Sequence, residues 1–170
     1  MDGGTAGDDG RDDRGDSGGG LAFAGVDHVG ILVRDIDAAL PFYLERLGVC
    51  LVAEQTLAEA GVRMAYLDAG TTLIQLVQPT GPGAMMDELA ARGEGINHLC
   101  LAVEDIPAAL ARLAPGAAVD VVLGGRGRRV CFLPDRQHGL RLELTELRPW
   151  AERQTASTDE SVGIAKDGER

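Results

Sequence analysis

The sequence predicts an α+β fold made of two tandem βαβββ modules. One phrase occurs twice at a fixed offset of 70 residues. The first copy is Asp27-His28 and then Val33-Arg34-Asp35-Ile36-Asp37-Ala38-Ala39-Leu40. The second is Asn97-His98 and then Val103-Glu104-Asp105-Ile106-Pro107-Ala108-Ala109-Leu110. A repeat of this length marks a duplicated supersecondary unit. In each copy a run of period two then passes into a helical run opened by an aspartate. Three short apolar runs follow in each copy, separated in the first by turns that carry Gly61 and Gly70.

The elements follow in order. Residues 26–33 read as a strand with His28, Gly30 and Leu32 on one face and Val29, Ile31 and Val33 on the other. Asp35 caps a helix that ends near Gly48, with Pro41 inside it as a kink or a delayed start. Strands are predicted over residues 49–57, 62–67 and 72–77. A short helix over 85–91 links the halves. The order then repeats: a strand over 96–103 with His98, Cys100 and Ala102 on one face, a helix capped by Asp105 with Pro107 in its first turn, and strands over 119–123, 129–133 and 140–147. In both first strands the face away from the histidine is apolar. The helices should cover those faces, leaving the histidines to line a concave inner surface.

Composition sets the limits. Residues 1–20 hold eight glycines, six aspartates and two arginines, too little apolar surface to offset chain entropy. The expected organisation is a disordered tail over 1–24, a folded domain over 25–148 and a second disordered tail over 149–170. The domain divides into modules 25–80 and 95–148 with a linker over 81–94. The chain carries a formal charge of −11, of which the folded part keeps about −5, which argues against nucleic acid as a partner. No apolar run approaches the ~20 residues needed to cross a bilayer, and no apolar leader opens the chain. Cys50, Cys100 and Cys131 lack CxxC spacing and read as reduced thiols. A cytoplasmic protein without a membrane partner is expected. The single lysine, Lys166, lies in the tail, which excludes Schiff-base and P-loop chemistry.

The last strands of the modules carry Leu73-Ile74-Gln75-Leu76-Val77 and Arg141-Leu142-Glu143-Leu144-Thr145. Gln75 and Glu143 are polar residues at the centre of apolar strands, at nearly equivalent repeat positions. A buried polar group without a partner costs about 1–3 kcal/mol, so a common partner is expected. We take it to be one divalent metal held by His28, Gln75, His98 and Glu143. Two imidazoles, a carboxylate and an amide oxygen suit Co, Mn, Fe, Ni, Zn or Mg without choosing among them.

The folded part resembles the vicinal oxygen chelate (glyoxalase/bleomycin-resistance/dioxygenase) superfamily, and within it the methylmalonyl-CoA epimerases. The resemblance rests on Arg92-Gly93-Glu94-Gly95-Ile96-Asn97-His98-Leu99-Cys100, on Asp27-His28-Val29-Gly30 and on Phe42-Tyr43-Leu44-Glu45-Arg46-Leu47-Gly48. Gly125-Arg126-Gly127-Arg128-Arg129-Val130-Cys131-Phe132-Leu133 and Leu142-Glu143-Leu144 add to it. It implies a metal-lined half-barrel and puts the metal ligands on the same quartet. It also implies epimerisation at C2 of methylmalonyl-CoA or a related 2-substituted malonyl thioester through a metal-stabilised enolate, with Glu143 as a catalytic base. An acyl-CoA substrate and a homodimer, with Trp150 at an interface, go with this reading. Another metal-dependent enzyme of the superfamily stays open as an alternative, a glyoxalase-like lyase or a natural-product tailoring isomerase. A small-molecule-binding resistance protein is a further one.

Three departures qualify the resemblance. Met64 stands where some epimerases carry a second acid, which leaves the second base unassigned; His138, the remaining histidine, reads as an exposed loop residue. Asn97 replaces the first histidine of the usual pair and by alternation points away from the metal. Arg141, two residues before Glu143, is expected on the inner face, either snorkelling to solvent or clamping a substrate carboxylate. Arg126, Arg128 and Arg129 form a basic loop, either solvated or placed to meet the phosphates of CoA.

Overall fold

The computed structural model describes residues 23–147. Residues 1–22 and 148–170 lie outside the described residues, and with them Trp150, Lys166, the expected tail over 149–170 and all but the last two residues of the expected tail over 1–24. Eight strands form one sheet in the order β2-β3-β4-β1-β5-β8-β7-β6. In sequence they are β1 (Phe23–Leu32), β2 (Cys50–Leu57), β3 (Val62–Asp68), β4 (Leu73–Pro79), β5 (Gly95–Val103), β6 (Val122–Leu123), β7 (Arg129–Phe132) and β8 (Arg141–Glu146). The helices are α1 (Ile36–Pro41), α2 (Ala84–Arg92) and α3 (Ile106–Leu113).

Each half has the βαβββ order, and the halves join where β1 and β5 run antiparallel. Within each half the first strand pairs in parallel with the last, β1 with β4 and β5 with β8. The parallel pairing requires a crossover, and α1 and α3 open those crossovers. Asp35 Oδ1 accepts from the backbone N–H groups of Asp37 and Ala38, and Asp105 Oδ1 accepts from Ala108 N at 2.7 Å. Pro41 does end regular α-helix. A π-helical turn over Phe42–Arg46 follows, and Leu47 N bonds back to Phe42 O at 3.1 Å. The missing proline N–H removes one i→i−4 bond and the ladder resets to a wider turn.

Helices α1 and α3 cover the convex face, as the alternation predicts. Ile36 packs with Val33, Ala65, Leu67 and Leu76. Ile106 and Ala109 pack with Val103, Cys131 and Leu144. A third cluster, including Leu32, Val62, Met64, Tyr66 and Val77, lies on the concave side with Leu89 of α2. The sheet curls into the half-barrel the resemblance implied. Two boundaries differ from expectation by three residues. β1 starts at Phe23 rather than at residue 26, because it pairs with β5 as far as Val103. β6 shrinks from the expected 119–123 to Val122–Leu123, the two residues that pair with Val130 and Arg129 of β7.

Candidate metal centre and active site

The strand order places β4, β1, β5 and β8 side by side. These four strands carry Gln75, His28, His98 and Glu143, and all four side chains line one pocket of about 140 Å³. His28 Nε2 lies 3.2 Å from His98 Nε2. Glu143 Oε2 lies 3.1 Å from His28 Nε2 and 3.3 Å from His98 Nε2. All four residues are buried.

What stands behind the histidines decides what faces the pocket. His28 Nδ1 lies 2.7 Å from Asp27 Oδ1, and His98 Nδ1 lies 2.8 Å from Asn97 Oδ1. Each Nδ1–H donates to an oxygen, so each Nε2 presents a lone pair to the pocket. In that tautomer two nitrogen lone pairs and a carboxylate oxygen converge on one point. Glu143 Oε2 and Gln75 Oε1 are both buried without a hydrogen-bond partner among the described residues. Orphaned acceptors at such a point are what a cation would satisfy. His28, His98 and Glu143 group closely enough to share one ion.

The charges agree with this. Burial alone pushes the Glu143 carboxyl up, but His28 and His98 outweigh it and hold the group down to about 2. Burial pushes His28 down, while Asp27 and Glu143 more than reverse it, so its pKa ends above the usual value. The His28 ring therefore sits where positive charge is favoured. Asp27, His28 and Cys100 form a second close group, but burial drives the Cys100 thiol far upward, so it stays protonated and is a poor ligand.

Asp27 and Asn97 were not legible from alternation, which turns each away from its neighbouring histidine. Both sit at β-bulges in the β1–β5 ladder. Val26 pairs with Leu101 and His28 with Cys100, leaving Asp27 as the extra residue. Gly30 pairs with His98 and Ile31 with Ile96, leaving Asn97 as the extra one. A bulge re-aims the side chain it carries. Asn97 lies behind the His98 ring rather than in the pocket wall, where its Oδ1 meets His98 Nδ1 and its Nδ2 donates to Glu88 Oε2 at 3.1 Å. Gly30 was also read only as a strand position. A Cβ there would overlap the His98 ring, so glycine is the residue that lets the imidazole lie over the strand.

The arginines are less free than the sequence suggested. Arg126 and Arg128 both pair with Asp27, and Arg129 pairs with the buried Glu146 at 3.3 Å. Of the three, only Arg126 lines the pocket. It lies over the Tyr66 ring with its Cζ 4.9 Å from the centroid. Arg141 is not in the pocket wall. Its guanidinium stacks 3.7 Å from the Phe132 centroid, and Phe132 in turn meets the His98 ring edge-on at 5.4 Å. On the backbone, Arg141 is the register partner of His98. Met64 is buried in the pocket wall, and His138 is exposed in a loop. The three cysteines are free, with Cys50 exposed and the other two buried.

Residues 27–132 match the Glyoxalase/Bleomycin resistance protein/Dioxygenase superfamily. The chain belongs to that superfamily. Within it, the chain is 34% identical over 130 residues to an ethylmalonyl-CoA/methylmalonyl-CoA epimerase of Cereibacter sphaeroides, covering 72% of this chain and 97% of the relative. It superposes on the crystal structure of methylmalonyl-CoA epimerase from Mycobacterium tuberculosis with a TM-score of 0.69 and 32% identity, covering 77% and 93% of the two chains. A Streptomyces coelicolor methylmalonyl-CoA epimerase in complex with 2-nitronate-propionyl-CoA matches with a TM-score of 0.67 and 31% identity, covering 74% and 98%. Among the described residues, no helix is long and apolar enough to cross a membrane.

Proposed function

We propose that the protein is a metal-dependent epimerase that inverts C2 of methylmalonyl-CoA or a related 2-substituted malonyl thioester. The observation that carries this reading is the convergence of His28, His98, Glu143 and the orphaned Gln75 oxygen in one buried pocket. A divalent ion held by these four would supply Lewis-acid stabilisation for charge developing on neighbouring thioester and carboxylate oxygens. Relatives that bear epimerase names, one of them bound to a 2-nitronate-propionyl-CoA, support the substrate class.

The chain's own residues do the rest. Glu143 is the single carboxylate among the described residues that line the pocket, and it is held ionised. It is therefore the base we assign to removing the C2 proton. Arg126 brings a guanidinium to the same pocket with a buried Nε that no described group accepts from. Asp27 fixes that guanidinium, which suits it to an anionic part of the substrate. Arg128, Arg129 and Arg141 stand outside the pocket wall, so any substrate contact of theirs lies beyond the reacting carbon. The apolar wall, with Leu57, Val62, Val77 and Val130, keeps water from the C2 centre. A cytoplasmic location and a homodimer complete the reading, and the free thiols support a reducing compartment.

Proton NMR in deuterated water with (2R)- or (2S)-methylmalonyl-CoA tests the proposal. The expected result is C2 exchange that vanishes on chelation and returns with about one divalent ion per chain. Exchange no faster than the uncatalysed rate, with metal present, would overturn it.

A further inference from the structure

An amide side chain has two ends of similar shape, and only the oxygen serves as a metal ligand. Something must decide which end of Gln75 faces the histidines. Gln75 Nε2 donates to the Tyr66 hydroxyl at 2.8 Å and lies 3.3 Å from Met64 Sδ, which leaves Oε1 buried and unpartnered. Tyr66 and Gln75 are direct cross-strand partners of β3 and β4. The Tyr66 hydroxyl points its own proton to Met64 Sδ at 3.8 Å. A thioether sulfur only accepts, so it favours donors on its side. A reversed amide would turn its oxygen to the sulfur lone pairs and its N–H groups to the imidazole nitrogens.

The surroundings hold the hydroxyl in place. Tyr66 is 1% exposed. A Cβ on Gly125 would overlap the Tyr66 hydroxyl, so the glycine leaves it room. The His28 ring meets the Tyr66 ring edge-on at 5.9 Å.

Building on the metal-dependent reading, we infer that Tyr66 and Met64 are a positioning pair that fixes the Gln75 amide with its oxygen toward the cation site. Neither residue acts as a ligand or a proton carrier. Met64 cannot replace a catalytic acid, but its sulfur sets the direction of both the hydroxyl and the amide.

The test measures Co²⁺ affinity of the metal-free full-length chain by competition with a chromogenic chelator. Tyr66→Phe and Met64→Leu keep the packing shape and remove the acceptors. Each is expected to weaken Co²⁺ binding by about 10–100-fold, the usual cost of losing a group that orients a ligand. Thermal unfolding of the metal-free variants should stay near that of the native chain. In a Gln75→Glu background the oxygen is present at either end, so Tyr66→Phe should cost far less. Unchanged Co²⁺ affinity in both single variants would overturn the inference, as would a Tyr66→Phe cost that is the same in the Gln75→Glu background. A native chain that takes up no Co²⁺ would overturn the metal reading itself, and this inference with it.

Discussion

At His28 the supporting side chain is a carboxylate, Asp27, gripped by Arg126 and Arg128 of the second module. At His98 it is an amide, Asn97, tied to Glu88 of α2, which in turn pairs with Arg92 and Arg136. The backbone device is the same in both halves, one bulged residue just before the histidine. The chemistry laid on it has diverged. An ionised carboxylate raises the donor strength of an imidazole more than a neutral amide does. The first module would therefore supply the stronger nitrogen ligand to the proposed ion, while Asn97 avoids a further negative charge beside Glu88. The arginines that neutralise Asp27 come from the other half, so the charge balance of one module depends on the other being in place.

The strand positions facing the two rings differ in the same way, and they give the largest expected effect. Gly30 pairs with His98, whereas Cys100 pairs with His28. Gly30→Ala should push the His98 ring aside and reduce both metal affinity and C2 exchange by roughly 100-fold, since a 1 Å misplacement commonly costs that much. Cys100→Ala should leave both near native values. Chelator competition on the two variants checks this, and equal losses would break the asymmetry.

A smaller effect is expected from exchanging the supports. Asp27→Asn makes the first module resemble the second and should weaken metal binding about 10-fold. Asn97→Asp makes the reverse change and puts a buried carboxylate against Glu88 Oε2. It should lower stability by about 1–3 kcal/mol in thermal unfolding, more than it changes metal affinity. Similar behaviour of the two variants would mean the modules are chemically equivalent after all.

The smallest effect is in the pH dependence of the metal-free protein. Burial raises the Asp27 carboxyl, but His28 and Arg126 outweigh it and hold its pKa below the usual 3.8. Its contribution to stability is thus fully present above that value and is lost as pH falls through the lower folded value. The stability gap between the native chain and Asp27→Asn should widen as pH falls through the raised His28 pKa, hold steady near pH 5 and shrink below pH 4. A gap that widens between pH 5 and pH 3 would contradict the assignment.

The four residues that meet in the pocket were legible because duplication makes buried polar residues recur at matching positions, and no packing argument explains two such residues in apolar strands. The module order and the two capped helices were legible for the same reason. Asp27 and Asn97 were not, since a bulge is set by the pairing of two strands and leaves no mark on the period of either. Gly30 looked like an ordinary strand residue until the ring above it was placed. Tyr66 lies on β3, far along the chain from Glu143, and its bond to Gln75 depends on register alone. Arg126, Arg128 and Arg129 read as free charge because their partners, Asp27 and Glu146, lie outside the loop that carries them.

The order β4-β1-β5-β8 divides the four proposed ligands evenly about the β1–β5 seam. A cut in α2 would leave one fragment with His28 and Gln75 and the other with His98 and Glu143. Each fragment would own one imidazole and one oxygen donor, a half-site too weak to hold an ion by itself. In the intact chain α2 and its flanking turns keep the two halves at high effective concentration, which makes chelation intramolecular. In a severed chain a divalent ion would act as the bolt of a fragment-complementation pair, and its uptake would report that the two pieces had closed on each other.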